Sequence, residues 1–416
     1  MWPLGRFLEK FVMTGTLGVI DADDKLHRFG PAEPGQYPDI IVTLRDRSLY
    51  WKLAIHPQLY LGEAYMEGTL EITRGTVWDL LNLCGRNLAR FLQGRNSPFK
   101  QTVTRLVQFA TQRNSPMRSR KNIAHHYDLS HEFYRAFLGP DLQYSCAYFA
   151  DPGFTLEQAQ SAKKQHVAGK LLLKQNQKVL DIGSGWGGLA IEFARDHGVR
   201  VDGLTLSQEQ LQFAKAWAHA LGLGERVRFL AKDYREMSGE FDRIVSVGMF
   251  EHVGVPYYPT FFAKIAELLA PDGVALLHTI GAMDGPGLGS PWIRKYIFPG
   301  GYIPALSEIL PAIEKVGLVV TDIEVLRLHY AQTLQHWRER FLANWENLQR
   351  YYDDQFRRMW EFYLAASEMT FRHGGLVVFQ IQLAKDQTAV PLTRDYMFEF
   401  ERGEAVALVP EQVRVA

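Results

Sequence analysis

Val179-Leu180-Asp181-Ile182-Gly183-Ser184-Gly185-Trp186-Gly187-Gly188 decides the fold of this 416-residue chain. A short apolar run reads as a buried strand, and the residues after the glycines read as the start of a helix. Glycines between a strand and a helix let the backbone turn tightly and pass close to a ligand. Gly183, Gly185 and Gly188 also satisfy the dinucleotide pattern GxGxxG, so an NAD site is a rival reading. Asp181 at the strand end favours S-adenosylmethionine instead. A carboxylate there repels a pyrophosphate, whereas a sulfonium cofactor is cationic and carries no phosphate.

Outward from this loop the same alternation continues. Lys178–Ile182, Val199–Leu204, Val227–Ala231, Phe241–Val247 and Val274–Thr279 are strand-like and separated by helix-length segments. That order predicts βαβ units, a parallel sheet and helices on both faces. Leu318–His329 and Leu376–Ala384 add a late pair of strands. Between them Leu334, Trp337, Phe341, Trp345, Leu348, Tyr352, Phe356, Trp360 and Tyr363 recur at spacings of three and four, one face of a helix that packs into a core. The expectation is an α/β fold: a seven-stranded Rossmann-like class I methyltransferase domain preceded by a small α+β amino-terminal domain. In that smaller part Asp39–Leu44 and Leu49–Leu53 read as strands around the turn Arg45-Asp46-Arg47, and an apolar helix is expected near Val77 to Leu83. The boundaries read as 1–110, 111–400 and a tail, 401–416.

Composition narrows the class. Hydrophobic residues make up 47% and charged residues 22%, which excludes a disordered or fibrous chain. Lys+Arg and Asp+Glu both number 46, so net charge identifies no partner. Two cysteines, Cys84 and Cys146, make neither a disulfide framework nor a zinc site, and no metal is expected. Arg6, Glu9 and Lys10 interrupt the apolar start, so no signal peptide is read there, and a reducing cytoplasm is the expected location. One local imbalance stands out. From Leu80 to Tyr127 there is no acidic residue, while Arg86, Arg90, Arg95, Lys100, Arg105, Arg113, Arg118, Arg120 and Lys121 are interleaved with apolar side chains. Such a stretch suits either a solvated linker or a docking surface for anionic lipid. No nucleic-acid module accompanies it, and nucleic acid is not an expected partner.

In open α/β sheets ligands sit at the carboxyl ends of the strands. Glu251 follows the fourth strand, His278 ends the fifth and Tyr330 is expected to end the sixth. Neighbouring strands lie ~4.8 Å apart, so Glu251 and His278 can converge on one small ligand. Upstream, Tyr144-Ser145-Cys146-Ala147-Tyr148-Phe149 has the aromatic and hydroxyl content of a cofactor lid. Gly203-Leu204-Thr205-Leu206-Ser207 ends the second strand without the usual ribose-binding acid.

At these residues the chain resembles the cyclopropane-fatty-acyl-phospholipid synthases and the related mycolic-acid cyclopropane synthases. The resemblance runs from His125-His126-Tyr127-Asp128-Leu129-Ser130 to about Lys385, and is carried by the segment around Cys146, the glycine loop, Phe250-Glu251-His252 and Leu277-His278-Thr279-Ile280. Gly62-Glu63-Ala64-Tyr65-Met66-Glu67-Gly68 resembles the amino-terminal part of the phospholipid-acting members. The resemblance implies attack of an acyl-chain alkene on the sulfonium methyl of S-adenosylmethionine. A bicarbonate ion then takes a proton from the resulting carbocation, and a cyclopropane ring closes. It places bicarbonate at Cys146, Glu251, His278, Tyr330 and the backbone of Ile280. It places the cofactor at Tyr144, Ser145, Gly183, Gly185, Gly187, Thr205, Gln210, Tyr234 and Arg235, beside the Asp181 that the glycine turn itself singles out.

An unsaturated phospholipid acyl chain and an anionic membrane surface are the implied partners, with a homodimer allowed and peripheral attachment to the inner face of the membrane. Phe149, Phe250, Trp292, Tyr296, Phe298 and Tyr302 are candidate aromatic walls for a cation, and Gly285–Pro304 reads as a lid. Ser367 stands where the family has a cysteine, so a thiol nucleophile is excluded there. Two rivals remain: an enzyme that resolves the same cation to a methyl or methylene branch, and a non-catalytic lipid-binding homologue.

Overall fold

Strand β5 (Lys178–Ile182) pairs in parallel with β6 (Arg200–Leu204) on one side and β8 (Phe241–Val247) on the other. From this centre the sheet extends through β7 (Val227–Leu230) and β9 (Leu269–Ala282), again in parallel. The late pair, β10 (Val319–Leu326) and β11 (Leu376–Ala384), is antiparallel and completes the order β10-β11-β9-β8-β5-β6-β7. The computed structural model describes residues 1–31, 38–92 and 129–403.

Both faces of the sheet are covered, as its near-continuous apolar strands require. Alternation along the strands sends Ile244, Ala275, Leu277, Phe379 and Ile381 into one core. Val179, Val201, Val245 and Leu276 enter the other, against the helices Leu156–Lys170 and Gly188–His197. The first of these helices opens on a capping box, with Thr155 Oγ1 accepting from the Gln158 N–H at 3.3 Å and Gln158 Oε1 accepting from the Thr155 N–H at 2.8 Å.

Gly281 shows how tightly β9 meets β11: a Cβ there would lie 2.0 Å from a ring carbon of the fully buried Phe379. Gly281→Ala is therefore expected to destabilise the protein by ~1–3 kcal/mol through forced repacking, read as a lowered Tm in thermal unfolding. An unchanged Tm would show that the two strands can part at no cost.

Contacts divide the chain into two units. One is Met1–Val107 with Leu288–Pro299 and Tyr330–Leu376; the other is Gln108–Gly287 with Gly300–His329 and Val377–Ala416. This division is discontinuous in sequence, unlike a single cut near residue 110. The first unit carries a four-stranded sheet, ordered β2 (Leu26–Phe29), β1 (Leu17–Ile20), β3 (Ile40–Leu44), β4 (Leu70–Arg74). Its helix Val77–Leu92 packs closely on Asp354–His373, where a Cβ at Gly85 would lie 2.8 Å from Met369.

Three sequence expectations are corrected. Leu49–Leu53 is not a strand but part of a helix, Leu49–Ile55. Asp46 Oδ1 accepts from the Ser48 N–H at 2.7 Å and starts it, and Leu49, Tyr50 and Leu53 are buried at helical spacing. The sixth strand stops at Leu326, so Tyr330 does not end a strand; it lies in the first turn of the helix His329–Ala343. The aromatic stripe runs over three helices, His329–Ala343, Trp345–Leu348 and Asp354–His373, the last capped by Asp353. Leu334, Trp337, Phe341, Leu348, Trp360 and Tyr363 are buried, as core packing requires.

Of the basic stretch, Arg86 and Arg90 lie exposed on the helix Val77–Leu92. Arg95 through Lys121, and the motif residues His125 to Asp128, fall outside the described residues. Among the described residues no helix is long and apolar enough to cross a membrane.

Candidate active site

The glycine loop is built by backbone constraints. Gly183, Gly185 and Gly187 all have positive φ, at 91°, 53° and 91°, a region costly for other residues. The Gly183 and Ser184 N–H groups both donate to the Leu204 carbonyl, at 3.0 and 2.8 Å, and tie the loop to the end of β6. A Cβ on Gly187 would meet Phe229 at 2.7 Å and Ala214 at 2.9 Å, whereas one on Gly185 would project into open space. That space is a cleft at the carboxyl ends of β5, β6 and β8, lined by Tyr144, Ser145, Asp181, Gly183, Gly185, Thr205, Gln210, Tyr234 and Arg235 among others. The structure thus brings together nine of the ten residues expected around the cofactor. Gly187 is the exception; it shapes the turn from behind.

Asp181 is 1% exposed, and its Oδ2 has no hydrogen-bond partner. Burial pushes its pKa up to about 7, against a smaller lowering by the Lys163 ammonium. A buried carboxylate oxygen lining a cleft suits a cationic ligand. Where a ribose-binding acid is absent, Thr205 Oγ1 and Gln210 Oε1 sit 2.9 Å apart and line the same cleft. Asp233 grips Arg235 with both carboxylate oxygens, at 2.8 and 2.7 Å, and the guanidinium lies 5.4 Å from the Tyr234 ring.

Glu251, His278, Cys146 and Ile280 lie outside the lining of this cleft. Glu251 sits in a short 3-10 turn after β8, and its Oε1 accepts from the Ile280 N–H at 2.6 Å. Its Oε2 is buried with no partner. Burial outweighs that bond, and smaller lowering by the Glu251 backbone N–H and the Thr279 side chain, and pushes the carboxyl up to about 7. His278 is 2% exposed on β9, and burial together with the charges of Lys163 and Lys170 pushes its imidazole down to about 3. Cys146 is fully buried, with Sγ 3.3 Å from the Ala147 carbonyl. Tyr330 belongs to the other unit, where its ring packs against Phe371 at 4.8 Å and Trp337 at 5.8 Å.

The other aromatic candidates divide similarly. Phe250 and Tyr302 are core residues, Phe250 stacked on Tyr258 at 4.3 Å. Trp292, Tyr296 and Phe298 belong to the first unit, in and after the short helix Pro291–Tyr296 within the expected lid. There Lys295 Nζ and Tyr296 OH both donate to Glu63, at 2.7 and 2.9 Å.

Lys163 was not singled out from sequence. It is 1% exposed, and its ammonium donates to Gln143 Oε1 at 2.6 Å and Ser145 Oγ at 2.9 Å. Gln160, one turn earlier, donates to the Ser145 carbonyl at 3.0 Å. Helix Leu156–Lys170 therefore holds the Tyr144–Ser145 strap against the cleft. Gln160, Lys163 and Lys170 recur at helical spacing, which was the available signal, but polar residues at that spacing normally mark a solvated face.

Sheet order, glycine turn and cleft define a class I S-adenosylmethionine-dependent methyltransferase. The comparisons agree. Residues 114–381 match the family model described as mycolic acid cyclopropane synthetase. The chain is 37% identical over 370 residues to a cyclopropane-fatty-acyl-phospholipid synthase of Escherichia coli strain K12, covering 88% of this chain and 92% of the relative. It is 35% identical over 378 residues to a probable fatty acid methyltransferase of Pseudomonas putida, covering 88% and 93%. The solved mycolic acid cyclopropane synthase CmaA1, complexed with SAH and CTAB, superposes with a TM-score of 0.60 at 34% identity, covering 64% of this chain and 97% of that one. The protein belongs to the mycolic acid cyclopropane synthetase family and is an S-adenosylmethionine-dependent methyltransferase of the cyclopropane synthase type.

Proposed function

We propose that the protein converts the cis double bond of an unsaturated acyl chain in membrane phospholipid to a cyclopropane ring. The carbon comes from S-adenosylmethionine, and a bicarbonate ion held by Cys146, Glu251, His278 and the Ile280 backbone serves as the base. The observation that carries this reading is Glu251: one carboxylate oxygen is fixed by the Ile280 N–H, and the other is buried without a partner. A buried polar atom of that kind is costly unless a ligand satisfies it.

When bound, S-adenosylmethionine supplies a methyl group on a sulfonium sulfur. Asp181 Oδ2 is the residue atom suited to a cationic part of that cofactor, and the open side of Gly185 leaves room for it. The Glu251 Oε2 atom would accept the bicarbonate hydroxyl. Lys163 and Lys170 contribute positive potential at His278, which favours an anion there. An alkene is a weak nucleophile, so most of the rate must come from alignment in a dry pocket, and these residues are buried as that demands.

The reading is tested by assay in degassed, bicarbonate-free buffer. The wild-type rate is expected to fall and to return when bicarbonate is added back. A rate indifferent to bicarbonate would mean that another base takes the proton. The similarity to a fatty acid methyltransferase supports one rival product, a methyl or methylene branch; a reduced methyl branch adds CH4 to the chain, where a ring adds CH2.

The alkene of a phospholipid lies below the head groups, so the enzyme must dock on the bilayer and draw a chain out. The acid-free stretch Leu80 to Tyr127, with the amino-terminal part of the chain, is proposed as the docking surface on the inner face of the membrane. Exchanging Arg86, Arg90, Arg95 and Arg105 for Glu is expected to weaken binding to anionic vesicles by roughly 4 kcal/mol at low salt, at about 1 kcal/mol per basic residue. Vesicle co-sedimentation reads this directly. Sedimentation equal to wild type would make the stretch a linker or a subunit interface of a homodimer.

A further inference from the structure

Behind His278 lies a run of polar side chains connected to its ring by hydrogen bonds and an ion pair. Lys170, at the end of the helix Leu156–Lys170, is 1% exposed. Its ammonium is paired with Glu324 of β10 and donates to Gln380 Oε1 at 2.8 Å. Gln380 is fully buried on β11, beside β9, and its Nε2 lies 3.1 Å from His278 Nδ1. Glu324 also binds His166 Nε2 at 2.6 Å, and the opposite nitrogen of His166 meets Glu401. His166 and Lys170 hold the Glu324 carboxyl down to about 2 despite its burial, so it stays ionised. Burial lowers the Lys170 pKa, and the Glu324 carboxylate opposes that and favours the ammonium.

Donor chemistry now fixes the direction of every bond. An ammonium only donates, so the Gln380 atom facing Lys170 is its carbonyl oxygen. The atom left for His278 is the amide nitrogen, which also only donates. His278 Nδ1 must therefore accept, and in a neutral ring the single proton then sits on Nε2.

We propose that Lys170 and Gln380 are positioning residues that lock His278 as the neutral Nε2–H tautomer, making it a hydrogen-bond donor to the bound oxyanion and not a base. This rests on the reading that His278 helps hold bicarbonate. A ring with a bare Nε2 would turn a lone pair toward that anion and repel it. Neither Lys170 nor Gln380 touches the reacting atoms in this scheme; they act through the imidazole.

The test uses full-length protein with 15N-labelled histidine, the His278 signals being assigned by their loss in His278→Gln. In wild type at neutral pH, nitrogen NMR is expected to show an unprotonated Nδ1 and a protonated Nε2, and this readout needs no variant to fold. Gln380→Glu replaces the donor with an acceptor while keeping shape and the contact to Lys170. It is expected to move the proton to Nδ1 and leave Nε2 bare. The bicarbonate concentration giving half-maximal rate should then rise roughly tenfold or more, with S-adenosylmethionine affinity unchanged. Gln380→Met, which removes both the donor to His278 and the acceptor for Lys170 without adding an acceptor for Nδ1–H, should give a mixture of tautomers and a smaller rise.

A wild-type His278 protonated at Nδ1 would overturn the proposal, as would a Gln380→Glu protein that keeps the Nε2–H form. A moved proton with an unchanged bicarbonate requirement would overturn it too. A wild-type rate indifferent to bicarbonate would instead sink the proposed base, while the nitrogen spectrum would still report the tautomer.

Discussion

Glu251→Gln is expected to lower turnover by ~10²–10⁴ while leaving S-adenosylmethionine affinity within about tenfold, the usual cost of losing a positioned acid–base group. The carboxylate lies outside the cofactor cleft, and its fixed oxygen is held by the Ile280 N–H. Glutamine keeps the shape and can still accept that bond, but its amide nitrogen cannot accept a proton or a hydroxyl hydrogen bond from an anion. The same substitution should raise the stability of the ligand-free protein at alkaline pH. Burial holds the Glu251 carboxyl near about 7, above its ordinary value of 4.5. A carboxyl raised on folding costs nothing below its unfolded pKa; the penalty grows as pH rises from 4.5 to 7 and is complete above that. At about 1.4 kcal/mol per pKa unit it is on the order of 3 kcal/mol at pH 8. Thermal unfolding should therefore show a higher Tm for Glu251→Gln at pH 8 and no difference near pH 4. Turnover close to wild type would remove Glu251 from the mechanism. Equal Tm values at pH 8 would mean that its charge is compensated in the folded state.

Asp181→Asn should do the opposite to function. Affinity for S-adenosylmethionine is expected to fall ~10–100-fold, the loss of one charge-assisted hydrogen bond, with kcat at saturating cofactor changed by less than about tenfold. Asp181 and Glu251 share a physical state: both are buried, both are raised to about 7, and each has one oxygen without a partner. Their places differ. Asp181 lines the glycine cleft and Glu251 does not. Calorimetric titration with S-adenosylmethionine separates them, and a change in Kd below about twofold for Asp181→Asn would show that the cofactor's cation is held elsewhere.

How far the sequence carried depended on the kind of signal. The glycine turn and the five parallel strands are local patterns, and four of the strands were recovered to within one residue because buried parallel strands are continuous apolar runs. The fifth runs over Leu269–Ala282, five residues earlier and three later than expected, so His278 lies within it and does not end it. Leu49–Leu53 failed because aromatic and aliphatic residues bias a short run toward strand, while the Asp46 bond that starts a helix there shows only in three dimensions. Tyr330 was placed at a strand end because the apolar pattern runs on past Leu326 into the helix His329–Ala343. The grouping of 288–299 and 330–376 with the amino-terminal part joins segments far apart in sequence, and no local pattern announces it. The cofactor residues were legible because they cluster on strand ends and loops. Lys163, Lys170 and Gln380 were not. A buried ammonium is defined by the partners that satisfy it, here Ser145, Gln143 and Glu324, and those come from other elements.

A cyclopropane ring in the acyl chain distinguishes this activity from every rival. Proton NMR of the phospholipid acyl chains from cells expressing the wild-type chain tests it most directly. Loss of the cis-olefin signal is expected, with appearance of the far-upfield protons of a cyclopropane ring, and that ring signal is expected to be absent in cells expressing Glu251→Gln. Exomethylene protons or a new methyl doublet in place of the ring signal, or unaltered olefin in cells that hold active protein, would contradict it.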